Sequence, residues 1–247
     1  MSRLLSALLL FVLFSGTALA QVSELGKLFT PENGQVSGRI IQYIALITVL
    51  SVAPGLLIMV TSFTRFVIAF SFLRSGLGLQ STPANLVLVS LSLFLTFFVM
   101  SPVFDKAWKD GVEPLMRNEI AESAAYERIT VPFREFMLRN VREKDLALFE
   151  EIAVAKSLNL AGAEKPDLRI LVPAFMVSEL RRGFEIGFLI VLPFLIIDLI
   201  VATLTMSMGM MMLPPTVISL PFKVLFFVLI DGWHLLVGSL LNSFSSG

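Results

Sequence analysis

Two apolar runs near the C-terminus, each long enough to cross a bilayer and each carrying charges inside it, constrain this chain most. Ile186–Leu213 contains a single charge, Asp198, and Thr216–Leu241 contains Lys223 and Asp231. An ionisable group inside a membrane span is costly unless it is paired, hydrated or facing protein. Either these charges pair across a helix bundle and hold it together, or they mark a functional pathway. The sequence leaves both interpretations open.

The composition is that of a polytopic membrane protein: 56% of the residues are hydrophobic, 15% are charged, and the mean hydropathy is +0.85. The formal net charge is zero and the chain has no basic tract, which argues against nucleic acid as a partner. The absence of cysteine excludes disulfides and thiolate metal sites. A single histidine, His234, cannot form a zinc site alone and is interpreted as a helix residue hydrogen-bonded near a membrane face. No cofactor is predicted.

The N-terminus is typical of a secretory signal peptide. Residues 1–20 hold one basic residue, Arg3, then an apolar stretch, then a small-residue ending at Ala20. The alternative is an uncleaved anchor helix. Cleavage after Ala20 would put the mature N-terminus outside the cytoplasm, where residues 21–38 form a polar, flexible periplasmic lead-in.

Residues 39–104 are predicted to form a first hydrophobic helical hairpin. Its two runs are Ile40–Phe63 and Leu86–Phe104. Pro54 and Gly55 interrupt the first run and are expected to kink or break it. Serine and threonine in the second run suit hydrogen bonds between helices in an apolar bundle.

Residues 105–169 are the one hydrophilic region, with eleven basic and thirteen acidic side chains. Apolar residues such as Phe133, Phe136 and Met137 recur there at helical spacing, which predicts short amphipathic helices. With the mature N-terminus outside, four spans would place this region outside the cytoplasm. That leaves few basic residues on the inner side, which favours hairpins packed against other protein over four lipid-facing spans.

Residues 170–247 are predicted to form a second hydrophobic hairpin with a methionine-rich loop. The methionines that crowd one end of the Asp198 run are Met206, Met208, Met210, Met211 and Met212. Gly209 and Pro214 forbid a continuous helix there, and Pro193 predicts a kink earlier in the run. Flexible thioethers fill irregular space, so the loop is either a methionine-rich turn or a deformable seal in a pore.

No enzyme signature is present: the chain lacks a P-loop, HExxH, GxSxG and a dinucleotide-binding glycine pattern. Asp198 and Asp231 could serve an intramembrane aspartyl protease if they lay within hydrogen-bond reach, but neither has the expected GxGD setting. A small-solute or ion transporter using the two aspartates as a proton relay is the alternative function, although the two hydrophobic halves show no convincing repeat.

Eight segments together resemble the FliP family of flagellar type III export-gate proteins and its virulence-secretion relatives. They are Met59–Phe70, Leu73–Asn85, Leu93–Val103, Phe133–Asn140, Pro173–Phe188, Leu192–Leu199, Gly209–Pro215 and Pro221–Trp233. PAFMVSELRRGFEIGF and PFKVLFFVLIDGW correspond to the two family signatures. The resemblance runs in order from Ile40 to the C-terminus. The signal peptide and FREFML favour the flagellar branch.

The resemblance implies an all-α, membrane-associated fold of kinked hairpins that assembles into a ring, expected to be a pentamer. It implies FliQ and FliR subunits as partners, FlhB and FlhA nearby, and a place in the inner membrane within the flagellar basal body. The ring would be a conduit for unfolded flagellar subunits, with energy supplied by its partners, and not an enzyme. Met210, Met211 and Met212 would form a methionine gasket around the pore.

The charged residues are expected to serve packing and assembly. Glu179, Arg182 and Glu185 lie at helical spacing, so they can pair within or between subunits. Asp198, Lys223 and Asp231 are expected to fix hairpin packing or subunit contacts. The full set of predicted assembly charges is Arg65, Glu179, Arg182, Glu185, Asp198, Lys223 and Asp231.

Overall fold

The described part of the chain is α-helical throughout. The computed structural model describes residues 36–79, 83–156, 166–209 and 214–245, and these contain helices and short turns but no strand. The prediction of an all-α fold is therefore confirmed. The predicted signal peptide, residues 1–20, lies outside the described residues. So does most of the lead-in, of which the structure describes residues 36–38.

The chain divides into two units, Met1–Pro54 and Gly55–Gly247. In the described part of the first unit the chain forms helix α1, Val36–Met59, whose last turns extend past the division. α1 stays helical through Pro54 and Gly55, and helical structure is interrupted only at 60–62. The interruption of the helix therefore lies several residues after the proline, and a kink at Pro54 stays a prediction.

Helices α2, Phe63–Leu77, and α3, Asn85–Ala107, follow the interruption. α2 ends at Gly78, which has a left-handed φ of 73° and donates its amide to the last carbonyls of the helix. This is a common helix ending because glycine adopts positive φ without a steric penalty. α3 continues through one wider π-helical turn, Trp108–Val112, into α4, Glu113–Met116.

The hydrophilic region forms the two amphipathic helices that its periodicity predicts. They are α5, Glu122–Asn140, and α6, Glu143–Ala155. Phe136 and Met137 of α5 are buried, whereas most of the charged side chains are exposed. The apolar faces of these helices therefore pack on the rest of the bundle.

Helix α7, Leu168–Ser207, is the longest described element, with 40 residues. The side chain of Asp167 caps its N-terminus by accepting a hydrogen bond from the Arg169 amide at 2.8 Å. α7 begins well before the apolar run expected from Ile186, and it stays helical on both sides of Pro193. Gly209, with φ of 74°, follows its end.

The predicted run Thr216–Leu241 is two helices and not one. α8 covers Pro215–Leu229, α9 covers Gly232–Ser245, and the bend between them is 64°. Pro214 is the N-cap residue of α8 and Pro215 its first helical residue, a position where proline's missing amide costs nothing. The chain turns at Asp231, which has a positive φ of 51°.

Two apolar clusters hold the second unit together, and α2, α3 and α7 supply most of their residues. The first joins α2, α3, α7, α8 and α9 through Phe66, Ala69, Phe70, Leu73, Leu77, Leu88, Phe194, Phe227, Leu236 and Leu240. The second joins α3, α5 and α7 through Met100, Val103, Phe136, Met137, Leu171 and Phe175. The hydrophilic helices are thus anchored by the second cluster, and the hairpins by the first.

Two described segments are long and apolar enough to cross a membrane, Asn85–Met116 and Leu168–Ser207. α8 and α9 qualify together as a broken span, and counting each bent pair as one span gives up to four. Only 22% of the most apolar window of α7 is buried within the chain. Much of this helix therefore presents apolar surface outward.

Candidate functional site

The first candidate site is a charge network between α7 and α8, formed by Asp198, Lys223 and Ser219 with the backbone of Gly76. Lys223 Nζ donates to Asp198 Oδ2 at 2.6 Å and to the Gly76 carbonyl oxygen at 3.0 Å. The hydroxyl of Ser219 donates to Asp198 Oδ1 at 2.5 Å. Both carboxylate oxygens are thus satisfied, and the network joins α7 and α8 to the end of α2.

Local sequence explains why these groups meet. Ser219 and Lys223 are four residues apart, so they lie on one face of α8 and reach Asp198 together. Gly76 is in the last turn of α2, where carbonyl groups have no partner within the helix. Lys223 is only 4% exposed. A buried ammonium group needs such a set of acceptors, because an unpaired buried charge is strongly destabilising.

The second network joins α2, α7 and α9 around Arg65, which is fully buried. Its guanidinium forms a bidentate pair with the carboxylate of Glu179. In one of the two hydrogen bonds, Arg65 Nε donates to Glu179 Oε2 at 2.8 Å. The Nη1 group donates to the carbonyl oxygen and the hydroxyl of Ser243 at 3.0 and 2.8 Å. The centre of the Phe244 ring lies 3.5 Å from the guanidinium carbon. The C-terminal helix is therefore fastened to the centre of the bundle.

A third network, between α6 and α7, was not predicted from the sequence. Arg142 forms a bidentate pair with Asp145 at 2.9 and 2.8 Å, and the Ser178 hydroxyl donates to Asp145 at 2.6 Å. The hydrogen bonds from Arg142 lower the pKa of Asp145 below its ordinary value; Ser178 adds to this effect and burial opposes it. The i, i+3 spacing of Arg142 and Asp145 was a usable signal, but nothing in the sequence pointed to Ser178.

The remaining predicted charges are placed less centrally. Glu185 is exposed and accepts a hydrogen bond from Arg181 at 2.7 Å. Arg182, which follows Arg181 in α7, is half-buried. Asp231, expected inside a span, is exposed at the turn before α9, and His234 is exposed one turn further on. Asp231 is exposed within the chain because the run containing it bends at that residue, and its role in packing or subunit contacts stays a prediction.

The predicted gasket residues Met210, Met211 and Met212 lie outside the described residues. Met208, just before them, is exposed at the end of α7. With Ile218 and Phe222 it lines an apolar groove of about 450 Å³ between α7 and α8. The described surface next to the methionine-rich loop is therefore apolar.

The geometry does not assemble a catalytic carboxylate pair. Asp198 hydrogen-bonds to Lys223 and Ser219, and none of the hydrogen bonds within the described part of the chain joins it to Asp231. The described residues also contain no group of three histidine, cysteine, aspartate or glutamate side chains placed to hold a metal ion. What the networks do chemically is to fix the packing of long helices by charge-assisted hydrogen bonds.

Comparison with known proteins gives a consistent result. Residues 46–240 match the model of the FliP family. The chain is 62% identical over 99% of its length to the flagellar biosynthetic protein FliP of Rhizobium meliloti, all of which is covered. It is 49% identical over 90% of its length to that of Bacillus subtilis, again covered completely, and 42% identical over 96% to that of Aquifex aeolicus, of which 98% is covered. The resemblance found in the sequence motifs is confirmed, and the chain belongs to the FliP family.

Proposed function

We propose that this protein is a core channel subunit of the flagellar type III export gate, in the bacterial inner membrane within the basal body. It conducts unfolded flagellar subunits across that membrane and acts as a conduit rather than an enzyme. Family membership supports the flagellar role. The structural observation behind hairpins that pack against protein is the Asp198–Lys223 pair, which lets an apolar hairpin hold charges in protein surroundings instead of lipid.

The exposed surface of the hairpins supports a multi-subunit assembly. The candidate spans are Asn85–Met116 and Leu168–Ser207, and in each of them less than a third of the most apolar stretch is buried within the chain. Large apolar patches on a protein mark surfaces that bind other proteins or lipid. We propose that further copies of the chain, arranged as a pentameric ring, and FliQ and FliR cover much of this surface, with FlhB and FlhA adjacent.

The alternative function, a solute or ion transporter with an aspartate relay, has no specific observation in its favour. A relay needs groups that exchange protons along a connected path. Asp198 is held by Lys223 and Ser219, and Asp231 is exposed in a turn outside that network. These positions favour a structural role for the charges over proton transfer.

Cysteine cross-linking tests the conduit directly, because the chain has no cysteine of its own. Single cysteines would be placed at Met208 and, as a matched control, at Met116, two exposed methionines at the ends of different helices. A flagellar export substrate with one cysteine would be stalled during export by a folded fusion domain. Oxidation is expected to link the substrate to position 208 and not to position 116.

Two outcomes would contradict the conduit. One is equal linking at both positions. The other is no linking at position 208 while secretion of unstalled substrate is normal. A strain lacking the protein is also expected to secrete no flagellar subunits and to recover when the chain is supplied. Normal secretion without the protein would contradict any essential role in export.

The gasket is tested separately, since it rests on the family resemblance. Replacing Met210, Met211 and Met212 by alanine is expected to leave the complex intact and raise the ion conductance of the closed gate, because small side chains seal a pore less well than thioethers. Planar-bilayer conductance of the purified complex measures this. An unchanged conductance would remove the gasket from the proposal.

A further inference from the structure

The last part of α7 and the whole of α8 form a hairpin that is joined internally. Asp198 of α7 accepts a hydrogen bond from Lys223 of α8 at 2.6 Å. Phe194 of α7 lies edge to face against Phe226 of α8, with the ring centres 6.2 Å apart. Charge-assisted hydrogen bonds of this kind are among the strongest that proteins form. Residues 194–207 and α8 are therefore held as one body, which we name the distal hairpin.

Two breaks in regular helix connect the distal hairpin to the rest of the chain. In α7 the break is Pro193, whose ring removes the backbone hydrogen bond to the carbonyl four residues earlier. After α8 it is the turn at Asp231, where φ is 51° and the helix direction changes by 64°. The ring of Phe227 contacts both Phe194 and Trp233, so the two breaks lie at the same level. Breaks of this kind are where hinges occur.

A cleft separates the distal hairpin from α2 and α3. Leu73 and Leu88 line one side of the cleft, and Val224 and Phe227 of α8 line the other. Its volume is about 300 Å³. Protein interiors contain few voids larger than a water molecule. The packing of α8 on α2 and α3 is therefore incomplete, which leaves space for α8 to change its position.

A hydrogen bond joins the distal hairpin to α2 next to this cleft. Lys223 donates to the Gly76 carbonyl oxygen at 3.0 Å. Its ammonium group lies at the C-terminal end of α2, 4.0 Å from the place that a Cβ atom at Gly78 would take. The dipole of a helix favours a positive charge there. If this bond opens, Lys223 keeps Asp198 as its partner, so the distal hairpin can leave α2 without coming apart.

The distal hairpin extends well beyond the end of α2. A Cβ atom at Gly76 would lie 2.8 Å from Val191, so the last turn of α2 packs on α7 just before Pro193. Residues 194–207 of α7 follow, and at 1.5 Å per residue they are about 21 Å long. Met208 stands at their far end and is 73% exposed. A small rotation at Pro193 therefore becomes a large displacement at Met208.

We propose that the distal hairpin swings as one body about Pro193 and the turn at Asp231, and that the hydrogen bond from Lys223 to Gly76 holds it against α2. A rotation of roughly 15° moves Met208 by about 5 Å, because the arm is about 21 Å long. The swing depends on the fold of the chain alone. That it widens the conduit at Met208 rests on the proposed function.

Pulsed electron paramagnetic resonance on pairs of spin labels tests the swing, because the chain has no cysteine of its own. One labelled copy would be assembled with unlabelled copies and the complex purified without substrate. The pair Lys144→Cys and Met208→Cys spans the hinge, whereas Lys144→Cys and Leu189→Cys ends before it; all three positions are exposed. The first pair is expected to show two populations that differ by about 5 Å, the displacement of the arm. The second pair should show one.

Two proline variants separate the hinge from general effects on α7. Pro193→Ala restores the missing backbone hydrogen bond and is expected to reduce the minor population severalfold. Pro173→Ala is the matched control, since Pro173 is also a half-buried proline inside α7, and it should leave both populations unchanged. Lys223→Gln, which weakens the bond to Gly76, should increase the population that has left α2.

A single population for the first pair in the wild type would overturn the swing, and so would equal distributions in the two proline variants. Secretion of flagellar subunits tests the role of the swing in export. Pro193→Ala is expected to lower secretion severalfold with the complex intact, and Pro173→Ala should secrete normally. Normal secretion by Pro193→Ala after loss of the minor population would overturn that role. Cross-linking of substrate at position 208 tests the conduit by itself.

Discussion

At the scale of single residues, Arg65 joins three helices of the second unit. It is fully buried, yet Glu179, Ser243 and the face of Phe244 satisfy its donors and its charge. Such a group stabilises a structure only while every partner is present, since the cost of desolvation is incurred regardless. Arg65 thus makes the packing of α2, α7 and α9 mutually dependent.

Breaking this pair from one side should be costly. Arg65→Leu leaves Glu179 buried without its partner and is expected to destabilise the fold by about 3–5 kcal/mol. Replacing both residues, by methionine and leucine, should recover most of that loss. Thermal unfolding in detergent measures both. Arg181→Ala, which breaks an exposed pair, is the control and should cost below about 1 kcal/mol. Equal losses for the two single variants would contradict the role of burial.

Asp145 should make the docking of α6 on α7 dependent on pH. Its folded pKa is lowered by Arg142 and Ser178, so its contribution to stability is complete above the unfolded pKa of about 4 and is lost as the pH falls through the lower folded value. The docking of α6 is expected to weaken in that acidic pH range. The fluorescence of a probe attached at Lys156 measures it. Asp145→Asn should dock less tightly at neutral pH and lose this dependence. Glu151→Gln, an exposed acid on the same helix, is the control.

At the scale of elements, the crossing of α2 and α7 depends on small residues. A Cβ atom at Gly187 would lie 2.7 Å from the ring of Phe72 and 2.8 Å from its Cβ atom. At Gly183, four residues earlier, it would lie 3.1 Å from Ile68. Glycines at this spacing let two helix backbones approach closely. The close approach brings Arg65 within reach of Glu179.

Adding one methyl group at this crossing should therefore separate the helices. Gly187→Ala is expected to destabilise the fold by about 1–3 kcal/mol, as overpacking does in a tight core. Gly238→Ala on α9 is the matched control, because a Cβ atom there meets nothing within 4 Å. The control should be neutral or stabilising by up to about 1 kcal/mol, since alanine favours helix. Thermal unfolding compares them, and the opposite order would show that the crossing can relax.

At the scale of the whole molecule, α7 joins α2, α5, α6 and α8. The Lys223 network fastens its apolar half to α8 and α2, and the Asp145 network fastens its other half to α6. A chain built this way fixes α6 on one half of α7 and α8 on the other half. That rigidity within each pair would suit the proposed assembly, in which the chain matches several neighbours.

Loss of Asp198 should affect the assembly of the whole complex. Asp198→Ala leaves Lys223 buried with the Gly76 carbonyl as its remaining acceptor, and we expect it to prevent stable assembly of the complex. Native mass spectrometry and the amount of secreted flagellar protein measure the effect. Asp231→Ala, an exposed aspartate, should assemble and secrete normally. An intact Asp198→Ala complex with normal secretion would contradict this role.

The residues alone predict the helical class, the apolar runs, the amphipathic helices α5 and α6, and the family. These follow from hydrophobic periodicity and from motifs, which are properties of neighbouring residues. It also singled out Asp198, Lys223 and Arg65 because a charge in or beside an apolar run stands out without any knowledge of its partner.

Which charges meet depends on the three-dimensional packing of the helices. Arg65 and Glu179 are 114 positions apart, and Lys223 reaches a carbonyl 147 positions away. Whether Asp231 is buried depends on a bend between α8 and α9. The apolar pattern of the sequence continues across this bend and gives no sign of it. Pairing and exposure depend on how helices cross, and the crossing depends on contacts such as that of Gly187 with Phe72. Those contacts join distant parts of the chain, so no local pattern records them.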